Sequence, residues 1–321
     1  AIAEAGGGRP HAGIPLPVAL LPGRRNSQGF DLSDDRELAA LAAALEQWGQ
    51  KWGPVQLRNE APNPISPVPA VIEPDPISAI SPISIRNPAD HDDVVGTVVE
   101  ATVADVAKAV AIAVERGSEW SATPAAERAA CLERAADLLE TERATFLALA
   151  VREAGKTLAN AVAEVREAVD FLRYYAAQAR AALAAPGVMP MGPIVAISPW
   201  NFPLAIFVGE VAAALAAGNP VLAKPAEQTP LIAREAVRLL RQAGVPGAAL
   251  QLLPGRGETI GAALVADPRV AGVIFTGSTE VARLIHRQLA TRDDDPVLIA
   301  ETGGQNAMIV DSSALPEQVV T

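Results

Sequence analysis

Cysteine is almost missing from this chain, with Cys131 alone among 321 residues. A single cysteine rules out an internal disulfide, which is consistent with a reducing cytoplasmic environment. Histidine is scarce as well, and the three histidines stand apart from cysteines and from carboxylates at metal-ligand spacing. We therefore expect no metal site.

Positive charge is also in deficit, because 26 lysines and arginines face 37 acidic residues for a net charge of −11. An acidic chain of this kind is a poor candidate for binding nucleic acid or anionic membrane surfaces. No run of about 18 uncharged apolar residues predicts a membrane span, and no signal peptide opens the chain. Half of the residues are hydrophobic, which is enough for a large core.

The first half of the chain divides into a loop-rich part and a helical part. Residues 1–30 are rich in Gly, Pro and Arg, residues 33–48 have a helical pattern, and residues 53–90 are dense in proline. We expect the proline-dense stretch to be a linker or an extended arm. Helical periodicity begins near residue 103, where Gly117 is expected to end the first helix, and a long helix follows Thr157.

The second half alternates between short apolar runs and amphipathic segments. The predicted order is strand 194–198, helix 204–217, strand 221–223, helix 230–243, strand 249–253, helix 258–266, strand 270–275, helix 279–290 and strand 297–300. This alternation predicts an α/β fold of Rossmann type, a parallel sheet with helices on both faces, preceded by a helical layer and a proline-rich linker. Ligands of such sheets bind outside the carboxyl ends of the strands.

Two motifs stand at predicted strand ends. Residues 198–203 are Ser-Pro-Trp-Asn-Phe-Pro, and residues 224–230 are Lys-Pro-Ala-Glu-Gln-Thr-Pro. In this order and at this spacing they resemble the aldehyde dehydrogenase superfamily. The resemblance implies oxidation of an aldehyde to an acid, in which a thiolate attacks the carbonyl, NAD accepts a hydride and a base activates water.

The resemblance assigns roles to the polar residues of both motifs. Asn201 is the expected oxyanion donor, against the alternative of an ordinary turn asparagine. Lys224 and Glu227 are expected on the cofactor ribose, against the alternative of a surface ion pair. A carboxylate at that position disfavours a 2′-phosphate, so we expect NAD rather than NADP.

Further cofactor contacts are implied along the chain. Residues 275–281 resemble the strand, turn and helix start that bind the pyrophosphate, although Ala282 replaces a glycine of the family pattern. Residues 255–261 are one residue too long for Gly-x-Gly-x-x-Gly. The implied cofactor set is Ile197, Ser198, Pro199, Trp200, Lys224, Glu227, Gly257, Gly261, Phe275, Thr276, Gly277, Ser278, Glu301, Thr302 and Gly303.

The last motif, residues 301–306, reads Glu-Thr-Gly-Gly-Gln-Asn and implies that Glu301 is the general base, against the alternative of a plain strand-end carboxylate. Residues 301–311 resemble the 1-pyrroline-5-carboxylate dehydrogenase branch, whose substrate is glutamate γ-semialdehyde. Residues 14–32 resemble the connector of the bifunctional proline utilization A family. The implied divisions are a connector at 1–64, an NAD-binding domain at 65–300 and the start of a catalytic domain at 301–321.

The nucleophile is not accounted for by these motifs. Cys131 lies on the apolar face of a predicted helix, where a cysteine is usually an inert small hydrophobe. The resemblance places the catalytic cysteine downstream of Glu301, beyond Thr321. Because the chain begins at Ala1 and stops at Thr321, we expect a fragment at both ends that is inactive alone. FAD and any peripheral membrane association are expected only in the upstream domain.

Some questions stay open at this point. Phe202, Ile206 and Phe207 either wall the aldehyde tunnel or belong to the core. Residues 184–193 are shorter than the hairpin that the family uses for assembly, so a homo-oligomer is an open expectation. Two other functions compete: a different NAD-dependent semialdehyde dehydrogenase, and a non-catalytic NAD-binding module without a thiol.

Overall fold

The computed structural model describes residues 13–15, 19–21, 23–51, 55–57, 81–183, 185 and 187–320. The strands are β1 (Val55–Leu57), β2 (Ile83–Asn87), β3 (Asp90–Val98), β4 (Ile194–Ile197), β5 (Val221–Lys224), β6 (Leu250–Leu252), β7 (Gly272–Gly277) and β8 (Val297–Thr302). The helices are α1 (Asp35–Lys51), α2 (Val103–Ala122), α3 (Ala125–Thr141), α4 (Arg143–Arg152), α5 (Leu158–Ala181), α6 (Ala205–Ala216), α7 (Pro230–Gln242), α8 (Ala262–Ala266), α9 (Thr279–Leu289) and α10 (Pro316–Val319).

The second half of the chain forms a five-stranded sheet in the order β6-β5-β4-β7-β8, and every pairing is parallel. The predicted alternation of strands and helices is confirmed, with strand ends within two residues of the expected positions. The segment 258–266 differs in detail, since it starts as a π-helix at Gly257–Gly261 before α8. The predicted α/β fold is therefore correct.

Helices cover both faces of this sheet. On β4, the side chain of Ala196 joins the cluster formed with α3, α4, α5, α6 and α7, whereas Val195 joins the cluster formed with α2, α8 and α9. Both residues are fully buried. A strand with apolar side chains on both faces has to lie inside a parallel sheet, as the continuous apolar run of β4 indicates.

Gly117 does not end a helix, contrary to the prediction. α2 continues through it to Ala122, and Thr102 caps the start of the helix by accepting from the N–H of Asp105 at 3.1 Å. A Cβ at Gly117 would stand 2.6 Å from Cγ of Pro220, just before β5. The glycine therefore permits close packing of α2 against the sheet and does not act as a helix terminator.

The proline-dense stretch also contains β-strands, which its composition does not predict. β2 and β3 pair antiparallel and β1 pairs parallel with β3, so a small sheet lies where a linker or arm was predicted. Residues 58–80 lie outside the described residues. The prediction of a linker is therefore wrong for 83–90, since this segment forms a hairpin in which Ile85 of β2 and Val95 of β3 are buried. An extended chain, the other prediction, describes β2 correctly.

A buried carboxyl group joins the end of α4 to the start of α7. Glu153, just after α4, accepts hydrogen bonds from the N–H groups of Leu231 and Ile232 at 2.7 and 2.8 Å. These two groups lie in the first turn of α7, where a helix has N–H groups without a partner in the helix. Burial raises the pKa of Glu153 to about 8, and the two hydrogen bonds act in the opposite direction.

The segment before α1 is anchored on the helical layer. The Ser27 hydroxyl donates to Asp170 at 2.7 Å, and Arg24 lies 3.2 Å from the same carboxylate. On the next turn of α5, Arg173 pairs with Glu140 at 2.8 Å.

None of the helices in the described ranges is long and apolar enough to cross a membrane.

Candidate active site at the carboxyl edge of the sheet

The strand order places a crevice at the carboxyl edge of the parallel sheet. The chain runs outward from β4 to β5 and β6, then returns to β7 on the other side of β4. Ile197 at the end of β4 stands in register with both Lys224 and Phe275. Such a reversal of strand order is the position at which open parallel sheets bind ligands.

The first turn of the crevice follows β4. The N–H of Ser198 donates to the carbonyl of Lys224 at 3.3 Å, so the turn stays attached to the neighbouring strand. Ser198 is buried, whereas Trp200, Asn201 and Phe202 are exposed. The Asn201 side chain is therefore accessible at the end of β4.

A buried ion pair supports this turn from α5, and sequence reasoning missed it. One oxygen of Glu164 accepts from the N–H groups of Leu204 and Ala205 at 3.1 and 2.9 Å. Its other oxygen lies 2.9 Å from the ammonium of Lys156, without the alignment of a hydrogen bond. The same ammonium stands 4.1 Å from the ring centre of Phe202.

A buried lysine ends β5, at the start of the second turn. The side chain of Lys224 is 3% exposed, donates to the carbonyl of Pro225 at 2.9 Å and lies 3.9 Å from the Glu227 carboxylate. Burial lowers the pKa of Lys224, and the carboxylates of Glu227, Glu100 and Glu258 oppose that shift. Because the lysine is buried, this is not the surface ion pair of the alternative interpretation.

A glycine-containing turn faces this lysine. A Cβ at Gly261 would stand 3.6 Å from Cδ of Lys224, whereas a Cβ at Gly257 would meet nothing within 4 Å. At Gly255 the backbone φ is +153°, and a Cβ would stand 2.5 Å from Cγ1 of Ile260. Side chains are therefore excluded at Gly255, whereas the space beside Gly257 is open.

The third turn joins β7 to α9. A Cβ at Gly277 would stand 2.6 Å from the ring of Phe275, so only glycine fits beside that ring. The Ser278 hydroxyl accepts from the N–H of Val281 at 3.2 Å and caps α9. Ala282, the departure from the family pattern, is buried in the cluster that includes Phe275 and does not block the turn.

The fourth part of the site is the end of β8. Thr276 pairs with Glu301, and Gly277 pairs with Thr302, in the parallel register of β7 and β8. Glu301 and Thr302 are exposed on this edge strand, and a Cβ at Gly303 would meet no atom within 4 Å. Glu301 is thus accessible at the end of β8.

The proposed substrate residues separate into exposed and buried positions. Phe202 is 41% exposed, Ile206 is half-buried, and Phe207 is fully buried among the largest core side chains. The position of Phe207 favours the core alternative, which the sequence pattern could not separate from a tunnel wall. The reason is that α6 has neighbours on nearly every side, so its apolar residues do not form a single stripe.

Cys131 lies on α3, away from these strand ends. Its thiol is buried, and Arg134 donates to the sulfur at 3.1 Å. Burial raises the pKa of the thiol, and Arg134 opposes that shift. The expected burial of Cys131 is confirmed, and a raised pKa makes a thiol less reactive because the thiolate is the nucleophile.

Two further features lie apart from or beneath this edge. A cavity of about 740 Å³ is lined by residues 25–30, α1 and Arg143, and it contains none of the strand-end residues. α6 carries a buried carboxyl, Glu210, which was not among the residues that the sequence motifs indicated. Within the described ranges, no group of three or more potential ligands could hold a metal ion.

Comparison with known proteins gives consistent results. The model of the aldehyde dehydrogenase family matches residues 77–321. Bifunctional protein PutA of Escherichia coli K12 is 54% identical over 319 residues, which is 98% of this chain and 23% of that protein. A crystal structure of a Bradyrhizobium japonicum Proline Utilization A mutant aligns with a TM-score of 0.77 at 46% identity, covering 96% of this chain and 28% of that one.

A second solved structure extends the comparison to a shorter protein. 1-Pyrroline-5-carboxylate dehydrogenase from Thermus, with bound NAD, aligns with a TM-score of 0.78 at 29% identity, over 89% of this chain and 56% of that one. The present chain therefore spans about a quarter of the PutA proteins and about half of the Thermus enzyme.

Proposed function

The chain belongs to the aldehyde dehydrogenase family, and we propose that it is the cofactor-binding part of an NAD-dependent glutamate γ-semialdehyde dehydrogenase. The observation that carries this proposal is the meeting of four strand ends at one sheet edge. These strand ends and the turns that follow them contribute Asn201, Lys224, Ser278 and Glu301. The substrate follows the relatives named for 1-pyrroline-5-carboxylate and for proline utilization.

We propose that NAD lies across the crevice between β4 and β7, where it supplies the hydride acceptor. The first turn of α9 offers backbone N–H groups to the pyrophosphate, because these groups have no partner within the helix. Lys224 and Glu227 hold a ribose through its hydroxyl groups, with the buried ammonium as donor and the exposed carboxylate as acceptor. The carboxylate favours NAD over NADP, since it repels a 2′-phosphate.

Asn201 and Glu301 carry the chemistry in this proposal. The Asn201 amide donates to the aldehyde oxygen as negative charge develops there, which stabilises the tetrahedral species more than the ground state. Glu301 takes a proton from water, and the resulting hydroxide attacks the thioester carbonyl and releases the acid. The exposed positions of both side chains support these roles.

We propose that the nucleophile is a cysteine outside these 321 residues. Cys131 is unsuited to the role, because its thiol is buried on α3 with a raised pKa. The chain alone would then bind NAD without oxidising an aldehyde. In the proposed organisation residues 1–64 are a connector, 65–300 bind NAD, 301–321 open the catalytic domain, and FAD belongs to an upstream region. We also propose a cytoplasmic location, which suits the free thiol of Cys131.

The test uses the complete protein that contains this chain. NADH formation is measured with glutamate γ-semialdehyde and with succinate semialdehyde, at equal concentrations and with either NAD⁺ or NADP⁺. The proposal expects the highest kcat/KM with glutamate γ-semialdehyde and NAD⁺. A higher kcat/KM with succinate semialdehyde would show that the protein is a different semialdehyde dehydrogenase. NAD⁺ binding without any turnover would show that it is a non-catalytic NAD-binding module.

A further inference from the structure

Glu210 is an acidic side chain in an apolar helix. α6 has the sequence Ala-Ile-Phe-Val-Gly-Glu-Val-Ala-Ala-Ala-Leu-Ala, and Glu210 is only 6% exposed. Both carboxyl oxygens are buried, and neither makes a hydrogen bond of normal geometry with the residues that the structure describes. A buried carboxyl without partners is costly, so its presence in a helix core calls for a specific role.

One polar side chain acts on this carboxyl. Burial raises the pKa of Glu210 well above its ordinary value, and the hydroxyl of Thr276, at the end of β7, partly opposes that shift. Charged groups on the helices packed against α6 are engaged elsewhere: Glu164 with Lys156, and Arg173 with Glu140. Likewise, Arg128 donates to the carbonyl of Ala216. Burial therefore favours the protonated form of Glu210, which has one O–H to donate.

Thr276 lies directly beside the proposed base. It is in register with Glu301 on the adjacent parallel strand, so the two side chains leave the sheet on the same face. That face is the α6 side, because Ile274 packs against the cluster that contains α6, whereas Phe275 packs on the opposite cluster. Adjacent strands are about 4.8 Å apart, which is within reach of a threonine hydroxyl and a glutamate.

We propose that Glu210 is a positioning residue for Glu301 that acts through the hydroxyl of Thr276. The neutral carboxyl of Glu210 donates its hydrogen to the Thr276 oxygen. A hydroxyl has a single hydrogen, and with its oxygen engaged by Glu210 that hydrogen points to the Glu301 carboxylate. The inference rests on the proposed function, in which Glu301 is the general base.

The protonation state of Glu210 then sets the direction of the hydroxyl. While Glu210 keeps its proton, Thr276 donates to Glu301 and holds one carboxylate oxygen, which leaves the other oxygen to take the proton from water. If Glu210 ionises, it becomes an acceptor, and Thr276 turns its hydrogen back toward α6. No covalent bond is broken and no net proton moves, so the pair orients the base without replacing it.

The kinetic test uses the complete protein and separates hydride transfer from thioester hydrolysis. Glu210→Leu removes the donor and is expected to slow hydrolysis about tenfold, the equivalent of one hydrogen bond, with the initial burst of NADH retained. Glu210→Gln keeps an N–H donor and is expected to recover most of that rate. It should also remove any alkaline loss of rate that comes from ionisation of Glu210. In a Thr276→Val background, Glu210→Leu should have no further effect.

A matched control distinguishes positioning from general damage to the fold. Glu235 is a buried carboxyl on α7 that pairs with Arg238 at 2.7 Å, away from the strand ends. Glu235→Gln neutralises a buried acid without touching Thr276 and should leave the rate of hydrolysis unchanged. An equal loss in Glu235→Gln and Glu210→Leu, or additive losses for Glu210→Leu and Thr276→Val, would overturn the proposal.

Infrared difference spectroscopy on the chain itself gives a second readout that needs no activity. One C=O stretch of a protonated carboxyl at neutral pH should disappear in Glu210→Gln and shift in Thr276→Val, separately from the band expected of Glu153, whose pKa is about 8. It should also shift in Glu301→Leu, which removes the acceptor of Thr276. Absence of the band, or a band unaffected by Thr276 and Glu301, would reject the positioning pair. If the complete protein forms no NADH, the proposed function fails, and the spectra still decide the state of Glu210.

Discussion

An oxygen of Glu164 lies 2.9 Å from the backbone nitrogen of Ala205, the first residue of α6. This bond attaches the helical layer to the turn that carries Asn201. The carboxylate acts as a helix cap, although it comes from a residue 41 positions earlier in the chain. The ammonium of Lys156, which lies between α4 and α5, balances the charge of the Glu164 carboxylate at a distance of 2.9 Å.

Removing this carboxylate should destabilise the protein strongly. Glu164→Ala leaves two buried N–H groups and the Lys156 ammonium without their partner, for an expected loss of about 3–5 kcal/mol in the free energy of unfolding. Glu164→Gln keeps an acceptor for the N–H groups and should lose less. Urea denaturation followed by circular dichroism measures the difference.

The exposed pair of Arg180 and Glu133, at 2.7 Å, provides the control. Glu133→Ala should change the free energy of unfolding by no more than about 1 kcal/mol, since water screens pairs at the surface. Equal effects of Glu133→Ala and Glu164→Ala would contradict the role of Glu164 as a buried cap.

The strand-end motifs could be predicted because their signals are local. A short apolar run, a turn with proline and a polar residue identify Asn201 and Lys224 from a few adjacent letters. The cap at Glu164 could not be predicted, because its partners Leu204 and Ala205 are distant in sequence and become neighbours only when α5 packs on α6. The β2–β3 hairpin was missed for a different reason. The prolines before it favour a linker, and β2 has only one buried side chain, Ile85, so its sequence has no clear strand pattern.

Asn201 is expected to contribute to the rate and not to the stability of the fold. Its exposed amide lies at the end of β4, where truncation leaves no buried cavity. In the complete enzyme, Asn201→Ala should lower kcat by roughly 10²–10³, the usual effect of losing one oxyanion donor. Steady-state assays of NADH formation measure this effect, with unchanged urea midpoints as the control. A loss below tenfold would argue against the oxyanion role.

Gly117 should reject even a methyl group. Gly117→Ala forces a Cβ to within 2.6 Å of Pro220 and is expected to destabilise the protein by about 1–3 kcal/mol, as overpacked cores do. Gly49 is the matched control, because it lies in α1 and a Cβ there would meet nothing within 4 Å. Gly49→Ala should stabilise by up to about 1 kcal/mol through helix propensity. Thermal unfolding of the two variants would contradict this packing if their midpoints moved in the same direction.

The pKa of Glu153 predicts a dependence of stability on pH. Its folded pKa of about 8 lies above the ordinary value of 4.5, so the folded state binds the proton more tightly than the unfolded state. The resulting stability is fully present below pH 4.5 and is lost as pH rises through 8. Each pKa unit corresponds to about 1.4 kcal/mol, so the loss amounts to a few kcal/mol. Glu153→Gln should remove this decline. The free energy of unfolding is measured by urea denaturation at several pH values between 4.5 and 8 for both proteins, and the same pH dependence in both would contradict the prediction.

The most direct test of the account is a single-turnover experiment with Glu301→Gln in the complete protein. Rapid mixing with NAD⁺ and glutamate γ-semialdehyde should give a burst in which the concentration of NADH equals that of the active sites. Almost no further turnover should follow. The reason is that hydride transfer precedes the step that needs the base. Steady turnover at the unaltered rate would contradict the assignment of Glu301. Absence of the burst in both the variant and the unaltered protein would contradict NAD-dependent aldehyde oxidation itself.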